Sequence, residues 1–340
     1  MAKNVSVEIL QQQHIAIYNS CDLFCKEIEH QMFHLIESEN IKLAVPIQYR
    51  AKSWASIVDK IEQKRFTVKK SITELQDLSG IRIILLFSRD VDRIIELIES
   101  NFEVIKKYNS EDRLGDDQFG YSSVHLITEL LSEWLKIPTL SKFKGMKLEF
   151  QIRTLSQHSW AEASNILQYK QEDNVPKPLK RSISRISALL ETVDLEYERL
   201  LIDRDIYKTE IKEKGTEKED TLLNVDLLAQ ILNGYLPEEN KSKSEDYSSL
   251  LDNLQSIGLE TSSKLIKLIQ EYKSQTLDWN KEIANEMLVN YKQGKKLAAL
   301  GYSASEDDID RIKNGVFFAH TGLIRDMIER AYGKPWFEIV

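Results

Sequence analysis

The sequence predicts an α/β (α+β) chain, with a strand-bearing block in its first two hundred or so residues and a helical region after it. Three observations carry this. The run Ile81-Arg82-Ile83-Ile84-Leu85-Leu86-Phe87 is short, apolar and rich in β-branched residues, the texture of a buried strand. Met146–Thr154 alternates between polar and apolar residues with period two. Beyond about residue 220 the apolar residues recur at helical spacings, and 12 glycines and 6 prolines in 340 residues favour long helices over many tight turns.

In chain order, residues 8–44 carry Leu10, Ile15, Ile17, Leu23, Phe24, Ile28, Phe33, Leu35 and Ile36 at three- and four-residue spacings, which predicts one or two amphipathic helices. Val45–Lys52 reads as extended, and Ser53 as the N-cap of a helix reaching about Lys64. After the strand at 81–87, Asp90 is placed to cap a helix Val91–Asn101, and Phe102–Tyr108 returns as a strand, giving a β-α-β unit. Tyr121–Thr128 and Met146–Thr154 follow as strands, then helices to about Lys170 and, past Pro176 and Pro178, over Leu179–Leu201. The charged stretches 209–220 and 237–247 read as linkers or exposed loops. Helical patterns occupy 222–235, 247–273, 277–300 and Asp307–Tyr332. The resulting plan is N-terminal helices over 1–44, a strand-bearing domain over 45–205, a linker over 206–220, and a helical accessory domain over 221–340 serving regulation or self-association.

Composition excludes several classes. A net charge of −8 argues against a broad nucleic-acid or anionic-membrane surface. The N-terminus lacks an apolar signal core and no window approaches a membrane span, so a cytoplasmic location and no membrane partner are expected. Cys21 and Cys25 have no further cysteine to complete a metal site, and read as reduced helix residues.

Three clusters can carry chemistry. Arg50 and Lys52 share one side of an extended segment, and Ser56, Lys60 and Lys64 one side of a helix. Residues 50–70 hold seven Lys/Arg against Asp59 and Glu62, a local balance of +5. Such a run is often only a solvated helix face. Point cations at this density also suit a triphosphate where no glycine loop supplies backbone donors. In the second cluster, period two places Lys147, Glu149, Gln151 and Arg153 on one face of a strand and Leu148, Phe150 and Ile152 on the other. That is either an edge strand with a solvated outer face or the wall of a cleft, and Tyr121, Ser123 and His125, alternating after Gly120, favour the cleft. The third is Asp77 at the mouth of a buried strand. Alone it is a turn residue, but with Glu149 it forms a hard oxygen pair for Mg²⁺ on substrate phosphates.

Together these stretches resemble the synthetase domain of RelA/SpoT-type alarmone synthetases (GTP pyrophosphokinases), in their small stand-alone form. The resemblance rests on R-A-K-S-W-A-S-I-V-D-K at 50–60, D-L-S-G-I-R at 77–82, F-G-Y-S-S-V-H at 119–125 and E-F-Q-I-R-T…H-S-W-A-E at 149–162, and covers about 45–200. It implies a nucleotidyltransferase-like mixed sheet flanked by helices, and transfer of the ATP pyrophosphoryl group to the ribose 3′-hydroxyl of GDP or GTP with release of AMP. By motif position, Arg50 and Arg82 would flank the adenine, and Lys52, Ser56 and Lys60 would hold the phosphates. Asp77 and Glu149 would carry Mg²⁺, with Glu149 also the base. Tyr121 would stack on the acceptor base, and His125, Gln151 and Arg153 would shape the acceptor side. The resemblance further implies a homo-oligomer.

The sequence departs from the family pattern on the acceptor side. Ser122 follows the tyrosine where Arg or Gln is usual, Asn165 stands where His is frequent, and 110–119 holds Glu111, Asp112, Asp116 and Asp117 against Arg113. ATP is therefore the better supported substrate. No histidine is followed by aspartate, so the hydrolase pair of long family members is absent from the sequence, and no G-x-x-x-x-G-K-[ST] occurs. A toxin-type enzyme modifying the 3′ end of tRNA would need a basic acceptor surface, which Lys142, Lys144 and Lys147 could offer against the acidic loop. A catalytically silent nucleotide sensor would have had no need of Asp77 and Glu149.

Overall fold

The computed structural model describes residues 6–63, 66–68, 70–109, 123–167, 176–214, 220–242, 244–292, 312–313 and 315–338. They divide into two compact units, 1–202 and 203–340. In the first, helix α1 (Val7–Ser38) is a single 32-residue helix whose N-cap Ser6 side chain accepts from the Ile9 N–H. It buries Phe24, Cys25, Ile28, Met32 and Ile36 in the same core as the sheet. The N-terminal residues are thus a layer of the strand-bearing unit and not a segment apart.

Five strands follow: β1 (Gln48–Ala51), β2 (Ser79–Leu85), β3 (Phe102–Asn109), β4 (Val124–Leu130) and β5 (Leu148–Thr154). They form one sheet in the order β1-β2-β5-β4-β3. β2 and β5 pair in parallel, and the other neighbours pair antiparallel, so the sheet is mixed. β2 and β5 are interior strands, buried on their apolar face and partly open on the polar face at Gly80, Arg82 and Gln151. The edge-strand reading of Met146–Thr154 is thereby excluded. One face, with Ile81, Ile83 and Leu85 of β2 and Leu148, Phe150 and Ile152 of β5, packs on α1 and on α3 (Arg89–Asn101). Helix α4 (Leu155–Ile166) starts directly from the end of β5.

Several local expectations change. Helix α2 (Trp54–Glu62) does begin at Ser53, whose Oγ accepts from the Ser56 N–H at 3.3 Å. Helix α3 begins instead after Ser88, and Asp90 lies within its first turn, buried and accepting from Arg93 Nη1 at 2.8 Å. The β-α-β unit exists, but its strands sit apart because β5 and β4 fill the space between β2 and β3. Helix α5 (Lys177–Lys214) runs well into the 206–220 stretch read as linker. Its lysines and glutamates are strong helix formers, and Arg204 and Tyr207 fasten it through Asp226 and Asn224.

The second unit packs α6 (Val225–Tyr235), α7 (Tyr247–Ser256), α8 (Ser262–Lys292) and α9 (His320–Tyr332) around Leu228, Ile231, Leu254, Ile269, Ile324 and Met327. The 247–273 pattern is broken at Gly258, whose φ of 75° is left-handed, and α8 then continues without the interruption expected before 277. His320 is buried, with Nε2 2.8 Å from the Pro237 carbonyl, which is a packing role. Among the described residues no helix is long and apolar enough to cross a membrane.

Candidate active site

The polar face of the sheet is assembled by register. Arg50 of β1 pairs with Gly80 of β2, and Gly80 pairs with Glu149 of β5. One step further along, Gln48, Arg82, Gln151 and His125 form a row across four strands. Arg50, Arg82 and Gln151 line a cleft of about 120 Å³ with Gln48, Tyr49, Gly80 and Ile81. Gly80 has the Glu149 and Arg50 carbonyls 3.8 and 3.9 Å from where a Cβ would stand, so a side chain there would fill the floor of the cleft.

Asp77, two residues before β2, is the anchor of the cation cluster. Its Oδ2 accepts from Lys52 Nζ at 2.7 Å and from Lys60 Nζ at 2.8 Å. Burial raises the Asp77 pKa, but the two ammonium groups outweigh it and hold the carboxyl below its ordinary value. Its other oxygen, Oδ1, is buried and has no hydrogen-bond partner. The backbone supports this arrangement, since the Lys52 N–H donates to the Leu78 carbonyl at 2.8 Å. Ser56 shares the helix face of Lys60 but is exposed, with its hydroxyl 2.9 Å from Ser53 Oγ. Lys64 lies outside the described residues.

Glu149 is 6% exposed and enclosed by donors. Tyr108 OH donates to Oε1 at 2.8 Å, His125 Nδ1 stands 3.0 Å from the same oxygen, and Gln151 Nε2 donates to Oε2 at 2.8 Å. Burial raises the Glu149 pKa, while hydrogen bonds from His125, Gln151 and Tyr108 and the His125 charge lower it further, so the carboxylate stays ionised. An ionised carboxylate only accepts, which assigns the proton to His125 Nδ1 and leaves Nε2 facing Ser123 Oγ at 2.8 Å. The Tyr108 and His125 rings stack at 4.9 Å with 12° between planes. Sequence reasoning missed Tyr108. Strand alternation was its available signal, since Lys106 and Tyr108 of β3 face the same side as the residues they pair with, Ile127 and His125.

Further along β5, Arg153 is 5% exposed, and burial, then Arg82 and Arg50, push its pKa down to about 10. Its Nη2 lies 3.7 Å from Glu162 of α4. The same carboxylate accepts from Arg82 Nη1 at 3.2 Å and lies 3.8 Å from His158 Nδ1. Arg82 Nε and Arg153 Nε and Nη2 are buried donors without hydrogen-bond partners, suited to anionic or carbonyl oxygen, and His158 Nδ1 is likewise buried and unpartnered. The structure thus brings together Asp77, Lys52 and Lys60, and separately Glu149, His125 and Gln151, with Arg50 and Arg82 beside them. Tyr121 and the acidic loop 110–118 lie outside the described residues, as does the Asn165 side chain.

The residues present fit Mg²⁺. Asp77 Oδ1 has no hydrogen-bond partner and Glu149 is an ionised carboxylate, so each offers a hard oxygen that a cation could take. Among the described residues no group of three or more His, Cys, Asp and Glu gathers in one place, so a cation here would complete its shell with phosphate oxygens and water, as Mg²⁺ commonly does.

A mixed sheet carrying a cluster of cations, the buried Glu149 carboxylate and the half-buried Asp77 carboxylate suits the handling of a nucleotide's phosphate chain. Residues 49–174 match the family described as a region found in RelA / SpoT proteins. GTP pyrophosphokinase YjbM of Bacillus subtilis (strain 168) is 30% identical over 158 residues, which is 44% of this chain and 70% of that protein. GTP pyrophosphokinase YwaC of the same strain is 27% identical over 173 residues, 48% of this chain and 76% of that protein. Among solved structures, small alarmone synthetase 1 from Bacillus subtilis bound to its product pppGpp superposes with a TM-score of 0.47 at 24% identity, over 57% of this chain and 98% of that one. The chain belongs to the RelA/SpoT family of GTP pyrophosphokinases and alarmone synthetases. Its second unit lies beyond the family match.

Proposed function

We propose that the chain is a Mg²⁺-dependent synthetase that moves the pyrophosphoryl group of ATP to the ribose 3′-hydroxyl of GDP or GTP and releases AMP. The observation that carries this is the Asp77 anchor: two lysines held on one carboxylate oxygen, with the other oxygen buried and without a hydrogen-bond partner. Arg50 and Arg82, in one cleft, hold the adenine between them, and Lys52 and Lys60 meet the phosphates with Ser56 at the rim. Asp77 and Glu149 would hold Mg²⁺, which supplies neutralisation of phosphate charge.

In the reaction the acceptor 3′-oxygen attacks the β-phosphorus and the bond from that phosphorus to the α-phosphate bridging oxygen breaks, so AMP leaves with that oxygen. Glu149 accepts the hydroxyl proton, its Oε1 kept in position by Tyr108 and His125. His125, Gln151 and Arg153 would form the acceptor side, and Tyr121 is assigned to it by motif position alone. The lack of a His-Asp pair in the sequence supports synthesis without hydrolysis.

The test is incubation of the purified chain and Mg²⁺ with ATP labelled at the terminal phosphate, with GDP, GTP or deacylated tRNA in parallel. Label in a guanosine product with AMP formed in equal amount is expected. Label only in tRNA, or no transfer to any acceptor, would overturn the assignment.

A further inference from the structure

A second cleft lies away from the polar face of the sheet, where α1 meets the helical turn Ile72–Glu74, the start of β2 and the segment entering β5. It has a volume of about 250 Å³. Its walls are apolar, formed by Ile17, Cys21, Leu75, Leu78 and Met146, and Lys142 stands on its lining with Lys147, which precedes β5 and so lines this cleft and not the polar face where strand alternation alone would place it. Neither lysine has an acidic partner among the described residues. Cys21 is 4% exposed and burial pushes its thiol up, which makes it a wall of the cleft and not a nucleophile.

From this geometry we infer that the cleft binds a small amphipathic carboxylate, a straight acyl chain of about eight carbons. The apolar walls take the chain, and the two lysines take the headgroup. A volume of about 250 Å³ limits the ligand to a short chain, of which eight carbons is representative. Hydroxyls of Ser20 and Thr73, both exposed, add donors near the mouth. The ligand's body would lie against Leu78 and Ser79, next in sequence to Asp77, and the Leu78 carbonyl already accepts from the Lys52 N–H. The cleft and the cation anchor therefore share one stretch of backbone.

Binding is read by calorimetry on the full chain without nucleotide, so the result stands apart from the proposed reaction. Octanoate, octanol and octyltrimethylammonium present the same chain with an anionic, neutral or cationic head. One octanoate per chain is expected, about tenfold tighter than octanol, with the cation weakest. Lys142→Gln with Lys147→Gln changes only side chains at the rim and should bring octanoate to the level of octanol. Ile17→Trp should fill the cleft and abolish binding of both. Equal affinity for octanoate and octanol in the unaltered chain would overturn the inference. So would octanoate affinity untouched by the double lysine variant, or simple competition between octanoate and ATP.

Discussion

Asp77→Asn tests the cation anchor most directly. The substitution keeps the shape and one acceptor oxygen but removes the charge that two ammonium groups share at 2.7 and 2.8 Å. Each charge-assisted hydrogen bond contributes about 1.5–3 kcal/mol when buried. Lys52 is only 10% exposed and loses nearly all of that, whereas Lys60, at 25%, regains water. An amide oxygen still accepts from one of them, so the expected loss is about 2–4 kcal/mol.

The pH dependence gives a second readout from the same variant. The folded Asp77 pKa lies below the unfolded value of about 4, so its contribution is present in full above that value and disappears as pH falls through the folded pKa. Urea unfolding of both proteins should show a constant gap from pH 6 to 8 that closes in acid below about pH 4. A gap under about 0.5 kcal/mol at neutral pH would refute the reasoning, as would one that persists undiminished in acid.

Other outcomes follow from the site and the core. Glu149→Gln removes the proposed base and proposed metal ligand together, and transfer measured with labelled ATP should fall by about 10²–10⁴-fold while the fold persists by circular dichroism. Lys52→Met should raise the KM for ATP by about tenfold whichever acceptor is supplied, in steady-state kinetics; an effect confined to one acceptor would contradict a donor role. Phe150→Ala empties a fully buried site packed edge-on against Phe102 at 5.1 Å, and should cost about 3–5 kcal/mol in denaturant titration.

Much of the site was legible as periodicity. Glu149, Gln151 and Arg153 were separable from Leu148, Phe150 and Ile152 because a strand sends alternate side chains to opposite faces, and that rule holds whatever the partner strand. Lys52 and Lys60 were legible as members of a local charge excess, yet nothing in their spacing showed that both would close on a single oxygen of Asp77. Tyr108 was invisible for a related reason. Its importance comes from pairing with His125 across β3 and β4, a contact between distant segments. Helix ends were legible where a cap is local, as at Ser53, and misread where tertiary ties extend a charged stretch, as in α5.

By itself, then, the amino-acid order determined what is local: the strand and helix periods, the polar face of β5, the excess of cations over 50–70, and the absence of a glycine phosphate loop. Only the tertiary structure decided that β5 lies between β2 and β4, and this placement sets Glu149 level with Gly80, three residues past Asp77. It also decided that α1 is a wall of the same unit, and that a second cleft opens beside the start of β2. Register and packing are sums of contacts between segments far apart in the chain, whereas periodicity is a property of each segment alone.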